Sequence, residues 1–177
     1  GFKNLVIDLR DNNGGYLEAA TQMANEFLPK DRLIVYTQGR KSPRMNYKSD
    51  GRGVFQKLPI VVLINEGSAS AAEIFAGAIQ DNDRGMVIGR RSFGKGLVQK
   101  QIEFPDGSMI RLTVARYYTP SGRCIQKPYV LGDGADYEHD LLSRYQHGEY
   151  FSQDSIKHTG PKYYTSLGRV VYGGGGI

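Results

Sequence analysis

The sequence contains few cysteines and histidines, and this scarcity excludes several kinds of functional site. Among 177 residues there is one cysteine, Cys124, and there are three histidines. A single thiol excludes an intrachain disulfide and any zinc site built from several cysteines. All three histidines lie between His139 and His158. The chain before His139 therefore contains no imidazole that could act as a ligand or a general base.

Long hydrophobic runs and clusters of one charge are also absent. The longest aliphatic run, residues 60–64, is far shorter than the ~20 residues that a membrane-spanning helix needs. The net charge is +5, and the basic residues are scattered among acidic ones. Nucleic-acid-binding proteins usually concentrate basic residues on one stripe. We therefore expect neither a membrane segment nor a nucleic-acid partner. Hydrophobic residues make up 40% of the chain, as in ordinary globular domains.

The order of apolar segments predicts an α/β fold. Short apolar runs bounded by turn residues predict strands, and apolar residues spaced three and four apart predict helices. Strands are expected over residues 5–9, 33–36, 60–64, 86–88, 97–104 and 109–117, and helices over 17–28 and 71–79. Asp106-Gly107 predicts a hairpin between the last two strands. Residues 47–53 are expected to form a loop, residues 137–150 have helical spacing, 163–172 resemble one strand, and the final glycine run resembles a turn or linker.

One glycine-rich segment matches the pattern of a phosphate-binding loop but lacks the parts that bind phosphate. Residues 89–95 fit G-x-x-x-x-G-K, yet Gly96 stands where a Ser or Thr would hold Mg²⁺. The residues that follow favour a strand, whereas the phosphate site requires a helix N-terminus. A nucleotide triphosphatase is therefore disfavoured.

Two kinds of serine hydrolase remain to be compared. A Ser-His-Asp triad would have to draw its histidine from the polar, tyrosine-rich tail, where histidines are ordinarily solvated. A Ser/Lys dyad needs a lysine whose pKa is lowered by burial, so that its neutral amine removes the serine proton. Lys95 lies between glycines and apolar residues and far from acids in the sequence. Ser70 lies at a predicted strand-to-helix junction, where free N–H groups can hold an oxyanion, whereas Ser68 suits a helix cap.

Five sequence blocks resemble one protease family. They are residues 8–15 (DLRDNNGG), 67–73 (GSASAAE), 80–81 (QD), 93–99 (FGKGLVQ) and 118–123 (YTPSGR). In this order and spacing they are similar to the carboxyl-terminal processing, or tail-specific, serine proteases. The resemblance covers residues 5–126 and returns at 168–177. It implies a layered crotonase-like core of mixed sheets flanked by helices.

The resemblance also implies the site. Ser70 corresponds to the family's nucleophile, Lys95 to its general base, and Gln99 to the residue that orients the amine. The oxyanion hole would use the backbone N–H of Ala71 and that of either Gly14 or Gly15. No metal or organic cofactor is implied.

The resemblance further implies how the chain is organised. Residues 1–177 are expected to be one catalytic-core domain from a longer protein whose PDZ domain and N-terminal helices lie outside it. Residues 127–163 replace a short turn of many members and form a variable insertion; it could cover the cleft, bind a partner or decorate the surface. No signal peptide is expected within the chain, and the family points to an extracytoplasmic location, the bacterial periplasm or cell envelope.

The expected function is therefore a serine endopeptidase that cleaves protein or peptide substrates near their C-terminus through an acyl-enzyme. Oligomerisation is compatible with the sequence. The alternative is a catalytically silent peptide-binding or scaffold module of the same fold.

Overall fold

The computed structural model describes residues 1–129, 134–156, 158 and 160–177, with only the backbone described at 134–138 and 153. Nine β-strands and three α-helices occur in this part of the chain. The strands are β1 (Leu5–Asp8), β2 (Leu33–Gln38), β3 (Met45–Lys48), β4 (Ile60–Ile64), β5 (Met86–Gly89), β6 (Leu97–Glu103), β7 (Met109–Tyr118), β8 (Lys162–Tyr164) and β9 (Val170–Tyr172). The helices are α1 (Leu17–Asn25), α2 (Ala71–Asp81) and α3 (Gly134–Gln146), and Gln153–Ser155 form a 3₁₀ turn.

The first layer is a parallel sheet of order β1-β4-β5. In its register Leu5 pairs with Ile60, and Val62 pairs with Val87. Parallel neighbours require a long crossover, and α2 supplies the crossover between β4 and β5. The carboxyl ends of the three strands therefore meet at one edge of the sheet, where ligand sites of open α/β sheets usually lie.

The second layer is an antiparallel sheet of order β3-β2-β7-β6. Its β6–β7 hairpin confirms the prediction from Asp106-Gly107. Strand β3, in contrast, begins two residues before the predicted loop and pairs with β2, so the loop prediction was wrong over Tyr47 and Lys48. Tyr47 packs against the core, and this contact outweighs the polar composition of the segment.

The core lies between the two sheets and is built around α1 and α2. Helix α2 is buried over nearly its whole length because it packs against α1, β2 and β5. Phe27 lies in the core with its ring against those of Phe55 and Phe75. Among the described residues, no helix is both long and apolar enough to cross a bilayer. The predicted mixed α/β architecture is confirmed.

The C-terminal part of the chain differs from one prediction and decides between the two alternatives of another. Residues 163–172 form a hairpin, β8–β9, because Gly168 with φ of +83° reverses the chain between the two strands. The final glycine run packs closely against the body of the protein and is not a free linker. Gly174 N–H donates to Cys124 O over 2.7 Å, and a Cβ at Gly176 would lie 2.7 Å from Ser92 Oγ. Glycine is needed here because the run passes between Cys124 on one side and Ser92 on the other, where a side chain at Gly176 would not fit.

Candidate active site

Three loops meet at the carboxyl edge of the parallel sheet, and they carry the residues that the sequence singled out. The loop after β1 contains Gly14 and Gly15, the loop after β4 contains Ser70, and the loop after β5 contains Lys95. The first two loops are joined by Asn65, whose side chain donates to Asp11 Oδ1 over 2.9 Å and accepts from Asp11 N–H over 2.8 Å. The topology thus brings residues from distant parts of the sequence to one place.

Ser70 lies at the start of α2 in an unusual backbone conformation. Its φ is +55° and its ψ is −114°, a region that residues with a Cβ rarely adopt and that is found mostly at functional sites. Its N–H donates to Glu73 Oε2 over 2.8 Å, so the side chain of the helix's own first turn holds the strained residue in place. The predicted strand-to-helix junction is present.

Glu73 is fully buried and accepts four hydrogen bonds. Its Oε1 accepts from Ser92 Oγ at 2.6 Å and from Gly94 N–H at 2.7 Å. Its Oε2 accepts from Ser70 N–H and from Lys95 N–H, each at 2.8 Å. Burial raises the pKa of the Glu73 carboxyl, and the four donors oppose that rise. The carboxylate therefore fixes the backbone of both predicted catalytic residues.

Glu73 stands at the start of a predicted helix, where a negative charge interacts favourably with the helix dipole. Its spacing from Ser70, S-x-x-E, is that of a capping box, and this pattern predicts the bond to Ser70. Nothing in the sequence shows that the loop after β5 supplies the other three donors, because that loop reaches Glu73 only through the sheet topology.

Lys95 is held by its backbone, while its side chain is exposed. The apolar neighbours of Lys95 in the sequence favour a lysine that is shielded from water. That expectation was wrong, because the side chain is exposed. The neighbouring glycines, Gly94 and Gly96, are the buried residues of the loop: Gly94 lies against the Cβ of Lys127 and Gly96 against Gln126. No hydrogen bond joins Lys95 Nζ to Ser70 Oγ, although catalytic hydrogen bonds often form only once substrate is bound.

Gln99 lies in β6, which begins shortly after Lys95. It pairs with Thr113 next to a β-bulge, where the register shifts between Val98 and Gln99. Its side chain is exposed and, over the part of the chain described, makes no hydrogen bond. Gln99 therefore lies in the strand that follows the Lys95 loop, and no hydrogen bond joins the side chains of these two described residues.

Two of the three predicted oxyanion residues, Gly14 and Ala71, lie beside Ser70. A Cβ on Gly14, whose φ is +92°, would lie 2.5 Å from Ala69 O and 2.7 Å from Ala71 N. Gly14 is therefore packed against the loop that contains Ser70, and its own N–H donates to Asn12 Oδ1 over 2.9 Å. A Cβ on Gly15 would meet nothing within 4 Å. The N–H of Ala71 has no intrahelical acceptor, because Ala71 is the first residue of α2.

Ser68 is structural. Its hydroxyl is fully buried, donates to Leu9 O over 2.6 Å and accepts from Asn65 N–H over 3.0 Å. It thereby joins the ends of β1 and β4 and does not cap α2, which was the role expected from the sequence.

The alternatives that the sequence disfavoured find no support in the geometry. The loop after β5 leads into strand β6, whereas a phosphate-binding loop leads directly into the N-terminus of a helix. His147 Nδ1 lies 2.7 Å from the carbonyl oxygen of Ser143 in its own helix, and His158 stacks on Tyr172. No contact between a histidine and Ser70 occurs among the described residues.

Two further sequence blocks have a structural role that the sequence did not reveal. Arg123 and Asp81 form an ion pair at 2.9 Å, with side chains only 3% and 0% exposed. Asp81 also accepts from Ser121 Oγ at 2.7 Å, and Arg123 donates to Tyr172 O at 3.1 Å. This pair connects the end of α2 to β9 and supports the helix that carries the site.

Comparison with known proteins gives one family. The model of peptidase family S41 matches residues 1–135. A carboxyl-terminal-processing protease of Synechocystis sp. is 42% identical over 133 residues, which cover 75% of this chain and 31% of that protein. A probable CtpA-like serine protease of Staphylococcus aureus is 39% identical over 143 residues, covering 78% and 29%.

A solved structure gives the same result. The photosystem II D1 C-terminal processing protease is similar with a TM-score of 0.66 and 40% identity, over 71% of this chain and 32% of that one. The chain therefore spans about three tenths of the length of the relatives that it matches.

Proposed function

The chain belongs to peptidase family S41, and from that premise we propose that it is the catalytic core of a serine endopeptidase that cleaves proteins near their C-terminus, with Ser70 as nucleophile and Lys95 as general base. The observation that carries this proposal is the buried carboxylate of Glu73, which binds the backbone N–H groups of both residues. This arrangement holds the backbone of a serine close to that of a lysine, and no histidine takes part in it.

The proposed reaction begins with proton transfer. The neutral amine of Lys95 takes the proton of Ser70 Oγ, and the oxygen forms a bond to the scissile carbonyl carbon. The N–H of Ala71 and an N–H of the Gly14–Gly15 turn stabilise the oxyanion. The ammonium of Lys95 then protonates the leaving amine, an ester remains on Ser70, and water hydrolyses it with Lys95 again as base.

Substrate binding has a specific task in this scheme. The side chain of Lys95 is exposed, and contact with water favours the charged form of a lysine, which has no lone pair with which to accept a proton. An extended substrate lying over the Lys95 loop would remove that water and favour the neutral amine. Gln99, on the strand that follows, would orient the amine. Other parts of the longer protein, a PDZ domain among them, would select the substrate, and we propose an extracytoplasmic location.

The test is peptide cleavage by the longer protein that contains this chain. Ser70→Ala and Lys95→Ala should each lower kcat/KM by at least about a thousandfold, as loss of a nucleophile or its base does in serine proteases. Lys100→Ala, at an exposed lysine of β6, is the matched control and should retain parental activity. Parental cleavage by either Ser70→Ala or Lys95→Ala contradicts the dyad.

A second candidate is a peptide-binding module without catalysis. The observations that favour it are the exposed side chain of Lys95 and the lack of a hydrogen bond between that side chain and Ser70. A fluorophosphonate probe separates the two candidates in the same longer protein. Covalent labelling at Ser70 that is lost in Lys95→Ala supports the peptidase, and an unlabelled Ser70 in the presence of bound peptide supports the binding module.

A further inference from the structure

The insertion contains a buried arginine that contacts the loop after β5. Arg144, in α3, has a side chain only 4% exposed. Its guanidinium donates to the carbonyl oxygen of Ser92 over 3.0 Å, to that of Arg91, and to Glu149 Oε1 over 2.9 Å. A buried guanidinium is costly unless its charge and its donors are matched, and here two backbone carbonyls and a carboxylate match them.

One further ion pair connects the insertion to the same loop, and a second ion pair, within the insertion, holds a residue whose backbone binds that loop. Glu149 binds Arg91 through two hydrogen bonds of 2.7 Å each. Asp140 accepts from Lys127 Nζ at 3.3 Å, and the N–H of Lys127 donates to Gly94 O at 2.9 Å. We call Asp140, Arg144 and Glu149 the insertion anchor. Its three residues thus reach both ends of the segment from Arg91 to Gly94.

The contacts continue from the insertion anchor to the candidate active site. Ser92, whose carbonyl accepts from Arg144, is fully buried and donates its hydroxyl to Glu73 Oε1 over 2.6 Å. Glu73 in turn accepts from Lys95 N–H and Ser70 N–H. A path of hydrogen bonds therefore runs from Arg144 through Ser92 and Glu73 to the backbone of Lys95. The Ser92 backbone has Arg144 on one side and Ile177 on the other, since Ser92 N–H donates to Ile177 O over 3.1 Å.

We propose that Arg144 is a positioning residue of the proposed peptidase: by binding the carbonyl groups of Arg91 and Ser92 it fixes the loop after β5 and so places Lys95 next to Ser70. The inference rests on the proposed function and gives the insertion, residues 127–163, a part in that function. A purely decorative insertion would not require a buried guanidinium with three acceptors. The lysine side chain itself has no hydrogen bond among the described residues, so its position depends on its backbone.

The experiment uses the longer protein and measures two quantities on each variant. The first is kcat and KM for a peptide substrate, and the second is amide hydrogen exchange at Gly94 and Lys95, whose N–H groups both donate to Glu73. Arg144→Gln removes the charge and most donors, while Arg144→Lys keeps the charge and can bind one carbonyl. Arg52→Gln is the matched control, because Arg52 is exposed and its one ion pair in the described part of the chain is with Asp50 at 3.5 Å.

The expected result is a local and catalytic effect. Arg144→Gln should lower kcat by at least about tenfold, equivalent to about 1.4 kcal/mol, change KM less than twofold, and speed exchange at Gly94 and Lys95 while leaving β4 protected. Arg144→Lys should recover part of kcat, and Arg52→Gln should match the parent. If Arg144→Gln does not fold, Arg144→Lys alone tests the proposal, because lysine keeps the charge but can bind only one of the two carbonyls; parental kcat and parental exchange at Gly94 and Lys95 in that variant would overturn the positioning role.

Each other outcome overturns one specific statement. Parental kcat in Arg144→Gln, with or without faster exchange at Gly94 and Lys95, overturns the positioning role. Faster exchange throughout β4 and α2 shows general destabilisation and overturns it too. If Ser70→Ala cleaves like the parent, the proposed function fails, and the exchange at Gly94 and Lys95 still decides whether Arg144 holds the loop.

Discussion

Ser70 and Lys95, which lie far apart in the sequence, donate their backbone N–H groups to the same oxygen atom, Oε2 of Glu73, each over 2.8 Å. Their nitrogens are therefore no farther apart than twice that distance. A hydrogen bond to a buried carboxylate is about twice as strong as one between neutral groups. This single acceptor joins the backbone of Ser70 to that of Lys95, and the two loops also contact each other directly, because Phe93 N–H donates to Ser68 O over 2.9 Å.

Replacing Glu73 by Gln should destabilise the protein and loosen the Lys95 loop. The amide group would point an N–H₂ at backbone N–H donors, so at least one buried donor would lose its acceptor, at a cost of about 1–3 kcal/mol. Urea denaturation of the 177-residue chain measures the cost. Glu18→Gln, at an exposed glutamate in the first turn of α1, is the matched control and should change stability by less than about 0.5 kcal/mol. Equal stability of Glu73→Gln and the parent would contradict the role of Glu73.

Gly14→Ala and Gly15→Ala should differ sharply in their effects on stability and on the labelling of Ser70 by a fluorophosphonate. At Gly14 the new Cβ would lie 2.5 Å from Ala69 O, and the φ of +92° disfavours any side chain. At Gly15 the new Cβ would meet no atom within 4 Å, and the N–H remains. We expect Gly14→Ala to lower stability and fluorophosphonate labelling of Ser70, and Gly15→Ala to alter both little. The labelling rate and the urea midpoint measure this, and two indistinguishable variants would contradict the packing of Gly14 against Ser70.

Breaking the buried pair of Asp81 and Arg123 should cost about 3–5 kcal/mol, because removal of one partner leaves the other charge buried and unpaired. Arg123→Met tests this by thermal or urea denaturation. The control is Arg52→Gln, which breaks a pair in which Arg52 and Asp50 are 88% and 46% exposed and should cost less than about 1 kcal/mol. Similar losses in the two variants would show that burial of the Asp81 pair has no energetic consequence.

The pair between Glu149 and its arginines predicts a dependence of stability on pH. Burial alone would raise the pKa of Glu149, but the hydrogen bond from Arg91 and the charges of Arg144 and Arg91 outweigh it and hold the pKa below its usual value. A carboxyl with a lowered pKa contributes stability above its unfolded-state pKa of about 4.3, and the contribution is lost as the pH falls through the folded-state pKa.

Glu149→Gln should therefore be less stable than the parent at pH 7, by about 3 kcal/mol for loss of a buried partner. The difference should shrink as the pH falls below about 4, where the parent carboxyl takes up a proton as well. Urea midpoints across this range provide the measurement. Glu103→Gln, at an exposed residue of β6, should follow the parent at every pH. A stability difference between Glu149→Gln and the parent that stays constant down to pH 2 would contradict the role of the ionised Glu149 carboxylate.

Much of the local structure could be predicted from the sequence because short-range periodicity reports which face of a segment is apolar. Helix α2, the strands β4 and β5 and the β6–β7 hairpin follow from such patterns. Ser70 at a strand-to-helix junction follows as well. The family also follows from the sequence, because several short blocks in one order are far more specific than any one of them. The proposed catalytic roles of Ser70, Lys95 and Gln99 stay predictions.

Only the tertiary structure decided which residues are buried and which distant groups meet. In the folded chain Glu73 lies between two loops, and the side chain of Lys95 is exposed. The final glycines pack against Ser92, and Arg144 is buried against the loop that contains Lys95. None of these follows from neighbours in the sequence, because burial and electrostatic matching depend on segments that the parallel sheet brings together from opposite ends of the chain.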